Sequence, residues 1–335
     1  MRENGSGRSG SGLRLALHSS GGSEKAYSPI IEAEAQSGPR RFGPRGLSLS
    51  DRSLKYLMLA PAATVLFGFI LYPLAYSFWL SLHRYDLVRP GTFIGLSNYA
   101  AMLTDARMLN SLRATLIFAI AAFVIEIVVG FGLALLLAQR IRGRGILRAL
   151  MVAPLMLTPV VMGINFRLML NYDFGVVNWF IGLFGVPKVN WITDPVLAMV
   201  VLIAVEVWHM TPFSLLIFSA GLESLPQEVL DAADADGANW WQKLRSVTIP
   251  MLAPLFLIVG LFRSYDLLRM YDLAYALTSG GPGQVTETLS YQIVIRLVTG
   301  WQVGYSCAMS FVLFGIGLLL AIVFIRTMTS TGEAS

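Results

Sequence analysis

The sequence is poor in charge. Asp, Glu, Lys and Arg make up 13% of its 335 residues, about half the share that soluble domains carry. Cysteine is nearly absent: Cys307 stands alone, so no disulfide closes within the chain and no metal-ligand spacing surrounds it. Histidine occurs three times, as the widely separated His18, His83 and His209, which argues against a histidine metal site. No Gly-x-x-x-x-Gly-Lys-Ser/Thr loop is present, so the chain lacks the phosphate cradle needed to bind ATP itself. His-Glu-x-x-His and Gly-x-Ser-x-Gly are missing as well, which disfavours an intramembrane enzyme.

What fills the chain is apolar. Hydrophobic residues account for 55% and the mean hydropathy is +0.64. The expected class is an all-α, polytopic membrane protein, because the apolar runs are long and continuous where a β-barrel would alternate in short segments. A bilayer core takes roughly 20 apolar residues per helix. Six runs of that kind occur, near 56–82, 112–138, 146–170, 196–220, 247–268 and 303–325. Six transmembrane helices are therefore expected, within a membrane domain spanning 55–328. The fifth must take in Arg263 and Asp266. Pro154 and Pro159 interrupt the third, and Pro212 lies inside the fourth. Such prolines either line a pathway or are plain kinks.

Residues 1–50 are rich in Gly, Ser, Arg and Pro, and read as a disordered tail. The net charge of +5 is mostly this tail: residues 1–55 hold nine Lys/Arg and five Asp/Glu. That pattern suits a topology determinant better than a nucleic-acid surface. The segment "QRIRGRGILR" after the second run is basic too, with Arg140, Arg142, Arg144 and Arg148. Lys and Arg stay inside, so both termini and the loop 221–248 are expected in the cytoplasm. The opposite face receives segments 83–111, 171–195 and 276–302. The second contains Trp179 and Phe180 and reads as a short interfacial helix. The third contains "LTSGGPG", which breaks regular helix.

The polar stretch "EVLDAADADGANWWQKLRSVTIP" (228–250) interrupts the apolar runs. Ser224 is a candidate helix cap and Pro226 suits a first turn. Glu228 and Asp231 lie near that positive helix end, with Asp234 three residues on. Gly237 breaks the helix. A second short helix is expected through Trp240, Trp241, Leu244 and Val247, before the fifth span. The alanines allow close approach, and the carboxylates suit a basic groove on another protein.

This stretch resembles the loop of permease subunits of binding-protein-dependent ABC importers, whose pattern is Glu-Ala-Ala, three residues, Gly, nine residues, Ile, one residue, Leu-Pro. Here it is Asp231-Ala232-Ala233, Gly237, Val247 and Ile249-Pro250, with every spacing kept. The segments "FGVVNWFIG" (174–182), "VWHMTPF" (207–213), "AGLESLPQEVLDAADADGA" (220–238) and "LRMYDLAYALTSGGPG" (268–283) are similar to the carbohydrate branch, and Thr278, Gly280, Gly281 and Pro282 to its MalF-like (UgpA-like) subunit type. The resemblance implies a type I importer permease fold in a bacterial inner membrane. It implies a second, MalG-like permease, a cytoplasmic ATPase dimer that carries the ATP and Mg²⁺, an extracytoplasmic solute-binding protein, and a sugar or polyol as cargo. Residues Glu228, Asp231, Ala232, Ala233, Asp234, Gly237, Ile249 and Pro250 would contact the ATPase, and Thr278, Gly280, Gly281 and Pro282 would lie on the binding-protein side.

Ionisable groups within apolar spans are costly and mark functional sites by default. The candidate pathway residues are Asn165, Arg167, Glu206, Trp208, His209, Arg263, Tyr265 and Asp266. Arg263, Asp266, Arg269 and Asp272 recur every three residues with alternating sign, as a self-neutralising ladder or as pathway lining. Glu126 fits helix pairing, and Glu206 either a hydroxylated ligand or a neighbouring helix. A stand-alone secondary transporter is the rival reading, although no internal repeat supports it.

Overall fold

In the computed structural model, residues 51–88, 91–139 and 142–332 are described, and the expected tail 1–50 lies outside them. By contact the chain divides into residues 1–62 and residues 63–335. The first contributes the start of α1 (Asp51–Leu66). All contacts discussed below lie within the second.

A π-helical stretch, Phe67–Leu71, joins α1 to α2 (Tyr72–Ser81). A two-residue hairpin follows, β1 (His83–Arg84) pairing antiparallel with β2 (Thr92–Phe93), and then α3 (Ser97–Met102). The long α4 (Ala106–Ala138) is capped by Asp105, whose carboxylate accepts from the backbone N–H groups of Arg107 and Met108. Next come α5 (Arg144–Val152), a 3₁₀ turn (Ala153–Met156), α6 (Pro159–Met169) and α7 (Val176–Gly182). Asp194 caps α8 (Pro195–Glu223) in the same way as Asp105 caps α4.

The third apolar run departs from expectation. The helical segments 144–156 and 159–169 meet at 98°, so they form a broken pair and not a straight span. Pro159 excludes helical backbone at the residue before it, and Thr158 is accordingly extended at φ −75° and ψ 141°. Among the described residues, five helices are long and apolar enough to cross a membrane on their own: 58–81, 106–138, 195–223, 240–268 and 303–328. The broken pair makes a sixth crossing if its halves act together. Pro212, by contrast, sits inside an unbroken α8.

After α8 the chain forms α9 (Gln227–Ala235), α10 (Trp240–Lys243), a π-helical stretch (Leu244–Thr248) and α11 (Ile249–Leu268). Then come α12 (Asp272–Leu277), α13 (Leu289–Val298) and α14 (Val303–Gly332). Helix α4 packs along α8 and α11, α6 along α12, and α14 along α2, α11 and α13. The α4–α8 approach depends on Gly130, where a Cβ would lie 2.6 Å from that of Ser214; small residues at crossings let helices approach where lipid gives no hydrophobic drive between them.

One buried cluster joins Phe118, Ala122, Met162, Leu202, Val205, Leu267 and Leu277. Another, toward the C-terminal end of α8, joins Leu137, Leu215, Phe218 and Val259. The outside remains apolar: Phe69, Ile120, Val128 and Leu319 are all more than half exposed. A contiguous apolar exterior of this kind is stable only against lipid or another chain.

Candidate functional site: a polar elbow and a charged cleft

The elbow between α8 and α11 is almost entirely exposed. Glu228, Asp231, Ala232, Asp234 and Gly237 are open, and Ala233 is half-buried. Asp231 accepts a hydrogen bond from Gln227 at 3.0 Å, and Asp234 pairs with Lys243 at 2.6 Å. Gly237 has φ +75° with nothing within 4 Å of the place a Cβ would take. Glycine is needed there for the left-handed backbone and not for space.

Two details differ from the sequence reading. Ser224 is not an N-cap: it ends α8, and its hydroxyl donates to the Gly221 carbonyl, while Pro226 sits at the start of α9 without a side-chain cap. The expected second short helix is not separate. From Trp240 the backbone is helical without interruption to Leu268, and Asn239 starts it with a reciprocal capping box to Gln242. The Asn-x-x-Gln spacing at Asn239 and Gln242 is the signal in the sequence for this helix start. Ile249 and Pro250 therefore lie within this helix, both exposed, and are not at a helix boundary. Beside the elbow, Arg144 and Arg148 reach Glu223.

The second region lies about 17 Å along α8 from its first residue at 1.5 Å per residue. Arg263 of α11 is 1% exposed. Its guanidinium donates to both carboxylate oxygens of Glu126 on α4, at 2.7 and 2.9 Å, and to Glu206 on α8 at 2.7 Å. The two-pronged contact uses the planar fork that lysine lacks. Three spans are thus tied through one side chain. Of the expected i, i+3 ladder only the first rung forms: Arg263 reaches Asp266 at 3.5 Å, with the Asp266 side chain 53% exposed, while Arg269 ends α11 and lies over the Tyr265 ring. The ladder goes no further because α11 stops at Leu268, and the carboxylates of other helices come closer to Arg263 than Asp266 does.

Beside this cluster is a cleft of about 270 Å³ lined by Glu206, His209, Arg263, Asp266, Arg269 and Tyr271, with Met210 and Asp272 among its further walls. His209 is 2% exposed. Its Nε2 lies 3.0 Å from the Leu157 carbonyl oxygen, and its Nδ1 has no partner. Burial, and then Tyr275 and Asp272, hold the Tyr271 phenol above its ordinary pKa, so it offers a hydroxyl at neutral pH. Of the eight candidate pathway residues, four meet here: Glu206, His209, Arg263 and Asp266. The other four do not line this cleft. Trp208 packs edge-on against Phe166 and lines a separate apolar groove of about 740 Å³ between α4, α5 and α8. Tyr265 faces α14 beside Phe314 and Gly317. Asn165 is exposed on α6, and Arg167 donates to Ser279 at 3.1 Å.

The segment after α12 is irregular, with left-handed Ser279, Gly280, Gly283 and Gln284 and a cis Gly281–Pro282 bond. Thr278 and Thr286 share a 2.7 Å hydrogen bond, Thr286 donates to the Gly281 carbonyl, and the Tyr291 hydroxyl donates to that of Ser279. Connectivity puts this segment at the opposite end of α11 from the elbow. Two ion pairs absent from the sequence reading brace that end: Arg107–Glu287, bonded through both oxygens at 2.7 and 2.9 Å, and Arg296–Asp105 at 2.5 Å, with Tyr305 also donating to Asp105. Burial works to raise the Asp105 carboxyl, but the hydrogen bonds from Tyr305 and Met108 N–H and the Arg296 charge outweigh it and hold it below its usual value. Among the described residues no three His, Cys, Asp or Glu side chains gather to hold a metal ion.

The elbow, the cleft and the irregular segment all fall within residues 126–329, which match the protein family described as "Binding-protein-dependent transport system inner membrane component". The chain belongs to this family. It is 34% identical to the trehalose/maltose transport system permease protein MalF of Thermococcus litoralis over 281 residues, covering 84% of this chain and 95% of that one. It is 31% identical to the trehalose transport system permease protein SugA of Mycobacterium tuberculosis over 299 residues, covering 89% and 95%. Its fold is similar to a chain in the crystal structure of a bacterial ABC transporter involved in alginate import, with TM-score 0.73, 18% identity, and coverage of 83% and 95%. As a family member the chain is a multi-pass inner membrane component of a transport system.

Proposed function

We propose that this chain is a permease subunit of an ATP-driven, binding-protein-dependent importer of sugars or polyols. The similarity to MalF and SugA supports the cargo class. A solved relative is a bacterial alginate transporter in complex with a periplasmic protein, which supports a binding-protein partner. The chain forms the translocation pathway with a second, MalG-like permease. Its termini and elbow face the cytoplasm, in keeping with the basic segment at Arg142, Arg144 and Arg148. ATP and Mg²⁺ are bound by a separate ATPase dimer.

The observation that carries this reading is the exposed α9. Its Asp231-Ala232-Ala233 and Gly237 keep the family spacing, and its acidic side chains Glu228, Asp231 and Asp234 are exposed. A partner groove lined by basic side chains fits it. Glu228, Asp231, Ala232, Ala233, Asp234 and Gly237 form that contact, and Ile249 and Pro250 continue it into α11. Gly281 and Pro282, half-buried in the turn after α12, face the binding protein, and the buried Thr278 and Gly280 hold that turn from within. In the assembled complex, Asp231→Lys and Gly237→Pro should each reduce binding-protein-stimulated ATP hydrolysis at least about tenfold, or about 1.4 kcal/mol. Hydrolysis at the unaltered rate in both variants refutes the coupling role, as does labelling of an Ala232→Cys variant from outside intact cells.

A further inference from the structure

The charge of the cleft beside Arg263 bears on which cargo passes. Its walls bring Glu206, Asp266 and Asp272 against Arg263 and Arg269. Arg263 is already committed to Glu126 through both carboxylate oxygens. Four carboxylates therefore stand against two guanidiniums. Arg269 lies over the Tyr265 ring at 5.2 Å. Arg167 does not line the cleft and donates to Ser279. The cleft also holds groups suited to hydroxyls: the Glu206 and Asp266 carboxylates accept, and the Tyr271 hydroxyl donates. The His209 Nδ1, buried with its side chain 2% exposed, is left without a partner. A cleft of about 270 Å³ has room for several waters, or for a small polyhydroxylated solute in their place.

We infer that this cleft receives uncharged polyhydroxylated solutes and rejects anionic ones, phosphate or carboxylate esters of polyols included. An anion placed here would face acceptors that cannot donate to it, and a net negative field focused by low-dielectric walls. An uncharged sugar gives its hydroxyl protons to Glu206 and Asp266 and accepts from Tyr271. The inference rests on the importer reading, and it adds the charge class of the cargo.

The test uses the full-length chain with Cys307→Ser and Met210→Cys, co-expressed with its companion subunits, in permeabilised membrane vesicles. Rates of modification by a cationic and an anionic methanethiosulfonate are measured and normalised to a free thiol. The cationic reagent should react faster by at least about tenfold. Asp266→Asn, at a half-exposed carboxylate 3.5 Å from Arg263, should narrow that ratio, and Glu206→Gln should narrow it further. Trehalose, maltose or glycerol should slow the modification, while glycerol phosphate at equal ionic strength should not. Equal rates for the two reagents, no reaction with either, protection by glycerol phosphate, no protection by any uncharged solute, or stronger protection by the cationic glucosamine overturns the inference. None of these readouts involves ATP hydrolysis, so failure here is separable from failure of the elbow assay.

Discussion

Replacing Arg263 by methionine keeps an unbranched, though shorter, apolar side chain and removes the charge. Three hydrogen bonds of 2.7 to 2.9 Å disappear, and Glu126 (0% exposed) and Glu206 (6%) lose their counter-ion. Removing one partner of a buried pair costs about 3–5 kcal/mol in water-soluble proteins. Two effects lower that figure here. A stranded carboxyl takes up a proton and does not stay charged, and polar side chains in the membrane-unfolded state find other partners, so interhelical hydrogen bonds there average only about 0.6 kcal/mol. The Arg263 contact is doubled, charge-assisted and shared by three helices, which puts the expected cost near 3 kcal/mol, or about 150-fold in the unfolding equilibrium. Reversible unfolding of the reconstituted chain in a mixed-detergent titration measures it. Adding Glu126→Gln to Arg263→Met should recover about half, because one of the stranded charges is gone. A loss no larger than about 0.6 kcal/mol, or an added loss in the double variant, refutes the account of Arg263 as the common anchor.

Gly237→Ala should strain the left-handed turn by about 1 kcal/mol and speed hydrogen exchange across residues 227–243 while leaving α8 unchanged. Asn239→Ala removes the capping box and should cost about 1 kcal/mol, read as fraying at Trp240 by tryptophan fluorescence. Asp105→Asn tests the far end. The native carboxyl is held below its ordinary value, so its stabilisation is complete above about pH 4, the unfolded value, and is lost as pH falls through the lowered one. The wild-type advantage over Asp105→Asn in thermal unfolding should therefore be flat from neutral pH to about 4 and shrink below it; an advantage that grows on acidification contradicts the assignment.

The long apolar runs were legible because a stretch of about 20 apolar residues has few other uses. The elbow was legible through spacing, since Gly237 marks its turn without help from the rest of the fold. The bend in the third run was half legible: Pro154 and Pro159 announced an interruption, but its 98° angle depends on how the two halves pack. Local charge spacing located the Arg263–Asp266 contact and missed the closer ones. Arg263 and Asp266 are three apart, yet Arg263 is bonded to a residue 137 positions away, and no single sequence lists which helices will touch. For the same reason the sequence does not separate Trp208 and Tyr265 from Glu206 and His209, although they occupy other faces of the bundle.

Residues 240–268 form one continuous helical rod, about 35 Å from Trp240 to Arg263 at 1.5 Å per residue. Axial stiffness along such a rod means that a shove at the exposed tryptophan pair is felt at the guanidinium with little loss. The joints on the way are the π-helical turn at Leu244–Thr248 and the helix around Pro254, which lacks a backbone donor. Lengthening or tightening either joint would set how much travel arrives and how much is absorbed.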